Sequence, residues 1–119
     1  MAIRYQYQHV GSHHGQEDQR VLAINESNWP IGWIEYTEFR GRTHIDIIRV
    51  EPGYRRQGIA ERLVLHMLME SKGPVDLGML TDAGARFFRR FLCQHKVGRE
   101  LDRFNEARRT LCRGMVVKD

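Results

Sequence analysis

The segment from Ile45 to Leu68, IDIIRVEPGYRRQGIAERLVLHML, constrains the fold more than any other part of the chain. Its first residues are apolar and β-branched. That favours a central strand, with Ile47 and Ile48 on its two faces. Glu51-Pro52-Gly53 breaks the ladder, so the strand ends near Val50. From Gly58 onward Ile59, Leu63 and Met67 recur every fourth residue, with Ala60, Val64 and Leu68 beside them. This is the period of a helix with one apolar face. A strand that turns directly into a helix leaves the first N–H groups of that helix unpaired, at its positive end. Such a turn can cradle phosphate or pyrophosphate. Gly58 and Ala60 leave room for an anion at the main chain, and Arg55 and Arg56 add charge. The same turn also serves as plain packing, with a glycine that eases the change of direction.

Upstream the pattern is one of strands. Ile3, Tyr5 and Tyr7 alternate with Arg4, Gln6 and Gln8. Val10 to Asp18 reads as a polar loop, Val21 to Ile24 as a short strand, and Asn25 to Pro30 as a turn. Ile31 to Phe39 is a third strand, and Gly41-Arg42 turns into a fourth, Thr43 to Val50. Four strands with short links imply an antiparallel meander. Downstream, Lys72-Gly73-Pro74 stops the first helix, and Val75 to Leu80 reads as a fifth strand. Thr81 caps a second helix, and Asp82 suits its N-terminus. Gly84, Phe87, Phe88, Phe91, Leu92 and His95 share a face of that helix. Gly98 interrupts it. Leu101, Phe104, Ala107 and Leu111 mark a last helix ending near Gly114, with Met115 to Val117 as a strand stub. The fold class is α+β, one sheet with helices against it.

A chain of 119 residues has material for one core and not two. No apolar run approaches the ~18 residues of a membrane span. MAIRYQYQHV lacks the apolar stretch of a signal peptide. Cys93 and Cys112 are too few for a disulfide framework and are expected as free thiols in a reducing cytoplasm. His9, His13 and His14 lack metal-ligand spacing, as do Cys93, His95 and Cys112, so no metal is expected. The net charge of +4 is concentrated near the C-terminus. Between Arg86 and Arg113 nine basic side chains face three acidic ones. They form a solvated face or a contact for a phosphate-bearing or acidic partner. Phe104 alone interleaves the arginines from Arg99 to Arg113, which argues against stacking on single-stranded nucleic acid.

Val50-x-Pro52 followed by Arg55-x-x-Gly58-x-Ala60 resembles the acyl-CoA signature of the GNAT superfamily of N-acetyltransferases. The likeness extends from about Ile31 to Leu92. It implies the GNAT-type acyl-CoA N-acyltransferase fold, a mostly antiparallel sheet whose fourth and fifth strands splay apart. On it, residues 1–119 form one domain: strands over 1–50, a CoA-binding turn and helix over 51–72, a strand and helix over 74–98, and a basic C-terminal helix and tail over 99–119. Acetyl-CoA is the implied cosubstrate. The N–H groups of Gln57, Gly58, Ile59 and Ala60 would hold its pyrophosphate, with Arg55 and Arg56 at the rim. The main chain of Ile48, Arg49 and Val50 would pair with pantetheine and offer an N–H to the developing oxyanion. An acceptor amine attacks the thioester directly, so the enzyme aligns the reactants and removes a proton.

The family's glutamate base falls on His44 in this sequence. An unperturbed histidine titrates near ~6.5, which suits that task. Asp46 shares the strand face of His44, and Glu35 on the neighbouring strand is a third candidate. The bland alternative is that His44 merely starts a strand at the surface. The tyrosine that the family uses as proton donor to the thiolate falls on Phe88, which has no proton to give. Water or another tyrosine, Tyr36 for example, would have to serve. Thr81 stands where a pantetheine-contacting asparagine is common. The two helices between the first strands have no room here, and the last hairpin is replaced by a basic helix. A homodimer is therefore expected, the missing acceptor wall being borrowed from a second subunit. The leading reading is an acetyl-CoA-dependent N-acetyltransferase acting on a primary amine. The alternative is a non-catalytic GNAT-fold module that senses CoA, or binds protein or nucleic acid through the C-terminal helix.

Overall fold

The computed structural model describes residues 2–78, 81–93 and 99–112. Strands β1 (Arg4–His13), β2 (Gln16–Ile24), β3 (Pro30–Phe39) and β4 (Arg42–Val50) form the expected antiparallel meander. The short β5 (Val75–Leu77) joins β4 in parallel, so the sheet order is β1-β2-β3-β4-β5. Helices α1 (Ile59–Glu70), α2 (Asp82–Cys93) and α3 (Asn105–Leu111) complete the α+β fold, with 3-10 turns at Pro52–Tyr54 and Arg99–Phe104.

The first two strands are longer than the sequence implies. The expected polar loop from Val10 to Asp18 is a continuous hairpin, and β2 starts at Gln16 instead of Val21. Its two turn residues, His14 (φ 51°) and Gly15 (φ 80°), both adopt the left-handed conformation that a tight hairpin demands. The polarity of this arm reflects its exposure. β5 stops at Leu77, short of the expected Leu80; Met79 and Leu80 themselves lie outside the described residues. The last helix splits into the 3-10 turn and α3. The expected positions of His95, Lys96, Gly98, Arg113, Gly114 and the Met115–Val117 stub also lie outside the described residues.

One core holds the molecule together. Ile59, Leu63, Val64 and Met67 of α1 pack over Val21 and Ala23 of β2 and Ile34 and Tyr36 of β3. These are the apolar positions that the helical and strand periods select. The other face of the sheet is more open, and Ile47 there is 49% exposed, so β4 is not packed on both sides along its whole length. Under α1, Tyr36 is 1% exposed and its hydroxyl has no hydrogen-bond partner among the described residues.

The edge of β5 is covered by the C-terminal helical segment. Phe88 of α2 and Phe104 are both wholly buried, with ring centroids 6.4 Å apart. Arg103 donates to the carbonyls of Gly73 (2.7 Å) and Leu68 (2.9 Å) and to Ser71 Oγ (2.9 Å), closing the C-terminal end of α1. Arg42 donates to both carboxylate oxygens of Asp76 (2.8 and 2.7 Å) and to Glu106 of α3 (2.8 Å). Cys93 and Cys112 are joined in a disulfide, with Cα atoms 5.6 Å apart. The expectation of two free thiols is thereby corrected: the side-by-side packing of α2 and α3 brings the sulfurs together, which spacing along the chain does not reveal. Free thiols can no longer argue for a reducing compartment. Among the described residues no helix is long and apolar enough to cross a membrane.

Hydrogen bonds from Arg42 hold the carboxyl of Asp76 below the usual aspartate range. The stabilisation from this pair is complete above the ~3.9 of a free aspartate and is lost as pH falls through the lower value of Asp76 itself. Asp76→Asn is therefore expected to lower Tm at neutral pH, and the gap to the parent is expected to close in acid. Melts that keep a constant gap down to about pH 2 would overturn this assignment.

Candidate active site

The site begins where the β4–β5 ladder stops. Pairing runs through Thr43–Val75, His44–Asp76 and Ile45–Leu77. The N–H of Gly78 then donates to the carbonyl of Ile45 at 3.1 Å. Beyond it, from Asp46 to Val50, β4 has no strand on that side among the described residues. A bulge sits at the same place. Glu35 of β3 faces Ile47 and Tyr36 faces Ile45, so Asp46 has no partner in the register. Among the described residues the pairing thus ends before Asp46, and this is where the expected splay would open its fork. Ile48, Arg49 and Val50 lie on the free side of the fork.

The fork leads to the turn between β4 and α1. Glu51 and Pro52 accept from the N–H groups of Tyr54 (2.9 Å) and Arg55 (3.4 Å), forming one 3-10 turn. Arg55 Nε donates back to the Val50 carbonyl at 3.1 Å, tying the turn to the end of the strand. Arg56 (φ 65°) and Gly58 (φ 75°) are left-handed. The first bond of α1 runs from the Arg62 N–H to the Gly58 carbonyl at 3.1 Å. Among the described residues, the N–H groups of Gln57, Gly58, Ile59 and Ala60 have no backbone partner. A Cβ on Gly58 would meet nothing within 4 Å, so the space before the turn is open. Arg56, Gln57 and Gly58 are exposed, whereas the side chain of Ile59 belongs to the core. Free N–H groups, open space and two arginines suit a pyrophosphate.

His44 lies at the mouth of the fork. Its Nε2 would be 3.0 Å from a Cβ on Gly78, so the missing side chain of Gly78 makes room for the imidazole. Asp46 Oδ1 is 3.8 Å from His44 Nε2, an ionic distance too long for a hydrogen bond. Thr37, opposite His44 in the register, donates its hydroxyl to Asp46 Oδ2 at 2.7 Å, with Asp18 Oδ1 3.4 Å away. The structure therefore brings His44 and Asp46 together, steadies Asp46 with Thr37, and makes space with Gly78. Glu35 faces Ile47 on β4 and Arg20 on β2, without a hydrogen bond to His44.

The α2 end of the site is simpler. Thr81 caps α2, accepting from the Gly84 N–H at 3.1 Å through its hydroxyl, which keeps a hydrogen free to donate. Phe88 is wholly buried beside Phe87 and Phe104 and packs in the core. Tyr36 cannot supply the proton either, because its phenol is closed under α1 and burial pushes its pKa up. Among the described residues no group of three or more His, Cys, Asp or Glu side chains could hold a metal ion. Sequence reasoning missed Thr37 and Gly78. Alternation along β3 puts Thr37 on the face of Glu35, and a lone glycine after an apolar run signals a close approach.

The model of the acetyltransferase (GNAT) family matches residues 2–91. No curated protein matches the chain. A GNAT-family acetyltransferase of Streptococcus pneumoniae superposes with a TM-score of 0.58 at 18% identity, over 76% of this chain and 86% of that one. An acetyltransferase of Bacillus cereus gives 0.57 at 18%, over 64% and 57%. A GNAT-family acetyltransferase of Staphylococcus aureus gives 0.53 at 22%, over 69% and 56%. The chain thus spans less than two thirds of the latter two proteins. At these identities the likeness shows the fold.

Gly78→Ala is expected to displace the His44 imidazole and to cost about 1–3 kcal/mol of stability, as overpacking does. Denaturant unfolding and the His44 ring resonances check this. Unchanged resonances would show that the glycine does not seat the histidine.

Proposed function

This chain belongs to the GNAT family of acetyltransferases, and from that premise we propose that it transfers an acetyl group from acetyl-CoA to a primary amine by direct attack. The observation that carries the proposal is one of continuity: the edge of β4 that is open among the described residues, Asp46 to Val50, leads from beside His44 to the turn before Gly58, where the space is open. We treat residues 1–119 as the domain that does this.

In this reading the N–H groups of Gln57 to Ala60 bind the pyrophosphate of acetyl-CoA, and Arg55 and Arg56 add charge. The free edge of Ile48 to Val50 aligns pantetheine as a strand would, and a main-chain N–H beside the thioester carbonyl meets its developing negative charge. The Thr81 hydroxyl has a hydrogen to offer from the start of α2. His44 takes the proton of the incoming amine, the Asp46 carboxylate stands 3.8 Å from its Nε2, and Thr37 holds Asp46 in place. With Phe88 and Tyr36 both enclosed, the departing thiolate takes its proton from water. The open sheet face beside His44 receives the acceptor. A homodimer working in the cytoplasm belongs to the same reading.

A second reading is favoured by one observation, the lack of a phenol at the fork: a GNAT-fold module without turnover, acting through its basic C-terminal segment. The transferase requires CoA binding and turnover; the module senses CoA, or binds protein or nucleic acid, without turnover.

Thermal melts with acetyl-CoA and CoA, beside ATP and NAD, provide the first test. Occupancy at ~100 times Kd stabilises a fold by about 2.7 kcal/mol, a shift of several degrees. A shift confined to the CoA compounds is expected, and no shift sinks the transferase and leaves only a module that binds protein or nucleic acid. Gly58→Ala, whose Cβ enters the open space, is expected to weaken that binding at least about tenfold and, separately, to cost about 1 kcal/mol of stability through left-handed strain. An assay with polyamines, amino sugars, peptide N-termini and lysine peptides separates the readings. His44→Ala is expected to lower kcat about a hundredfold with acetyl-CoA affinity unchanged. Binding without transfer to any of these amines would leave the module.

A further inference from the structure

The sheet ends at β1, which pairs with β2 on one side and with no strand on the other among the described residues. The bulge between His9 and Gly11 confines its regular part to Arg4–His9, and no aspartate, glutamate, lysine or proline protects that run. Above it runs one side of α1. The Tyr5 ring stacks on His66, with centroids 4.6 Å apart and 15° between planes. Arg62 lies within electrostatic reach of Tyr5, and Glu70 within reach of Tyr7. Arg62, His66 and Glu70 are four residues apart, so they form one row along α1 parallel to β1. Beside the row Leu65 is 40% exposed and Met69 73%, and Tyr7 on the strand is 39% exposed. A shallow groove along this side of α1 is lined by Glu61, Arg62, Leu65, His66 and Met69, and at its far end by Gln57 and Gly58 of the turn, which lie beyond the row that faces β1. Helix α1 sits mainly over β2 and β3, which leaves the helix-side face of β1 half bare.

We propose that two copies of this chain pair through β1, antiparallel about a two-fold axis normal to the sheet, with their α1 helices side by side above the seam. The free backbone groups of β1 call for a strand as occupant. Charge along α1 identifies that strand as a second copy. With the two-fold axis passing beside the stacked Tyr5 and His66, at the middle of the row, Arg62 of one subunit comes opposite Glu70 of the other, and the pair occurs twice. Leu65 and Met69 of the two helices then cover each other and Tyr7. No like charges meet along the strands, because the residues between Arg4 and His9 are glutamine and tyrosine. This gives a surface to the homodimer of the reading above and rests on it in that respect only. The bond-forming chemistry plays no part in it.

Sedimentation equilibrium over a range of concentrations tests the proposal. The parent is expected to be dimeric. Glu70→Arg and Arg62→Glu each put like charges opposite one another and are expected to weaken the dimer at least about tenfold. The doubly reversed Arg62→Glu/Glu70→Arg protein is expected to recover the parent affinity. Amide exchange over Arg4–His9 is expected to slow as the parent dimerises. A parent that stays monomeric overturns the proposal. So does a dimer that ignores both reversals, or one that the double reversal fails to restore. Melts of each variant establish that it is folded, and acetyl-CoA shifts on the same samples keep the two questions apart. Cofactor binding by a monomer sinks the interface alone. A dimer that binds no CoA sinks the transferase reading alone.

Discussion

Among the described residues, parallel pairing between β4 and β5 lasts for three residue pairs, and the proposed ligand would lie along the edge of β4 beyond it. Backbone N–H and C=O groups at a strand edge need partners. Here β3 satisfies one side of β4 up to Val50, while on the other side the described residues supply no strand partner after Ile45. The bulge at Asp46 lets both conditions hold, since it changes the phase of β4 at the point of release without breaking the ladder to β3. His44 before the bulge and Arg49 beyond it are both exposed, although an odd spacing separates them.

Against the outer edge of β5 this chain places the C-terminal helical segment. Three different attachments hold it: Arg103 on the end of α1, Glu106 on Arg42, and the sulfur bridge from Cys112 to Cys93. Each reaches a different element. The helix whose first turn faces the candidate phosphate site is thus closed at its far end by the segment that also covers the sheet edge. The two ends of α1 have separate duties, and one apolar face between them supplies the rigidity that both require.

Much of this was legible in the residues. The four-residue period from Ile59 to Met67 marks α1 and its buried face, and Pro52-Gly53 and Gly58 mark the turn. Thr81 announces α2 by its capping chemistry. What escaped reading depends on neighbours distant along the chain. Polar composition made Val10 to Asp18 look like a loop, because a strand on an exposed arm has no apolar partner to reveal it. Spacing placed Phe88 near the ligand, yet its surroundings are set by Phe104, which no local pattern connects to it. The bulge at Asp46 and the seat of His44 against Gly78 exist through pairing across strands. Sequence order carries no trace of the bulge, and for the seat it offers only the lone glycine.

The bridge between Cys93 and Cys112 makes a closed ring of chain that includes the 3-10 turn and α3, with a sequence separation of 19. Inside such a ring, separation of α3 from β5 is a local event and not an escape. If the bonds of Arg42 to Glu106 or of Arg103 to α1 open, the helix stays at high effective concentration beside its seat and returns without a search. Short ion pairs that would be weak for a free segment can then keep the edge of β5 covered most of the time. Reduction would leave every contact in place and change only how long each absence lasts.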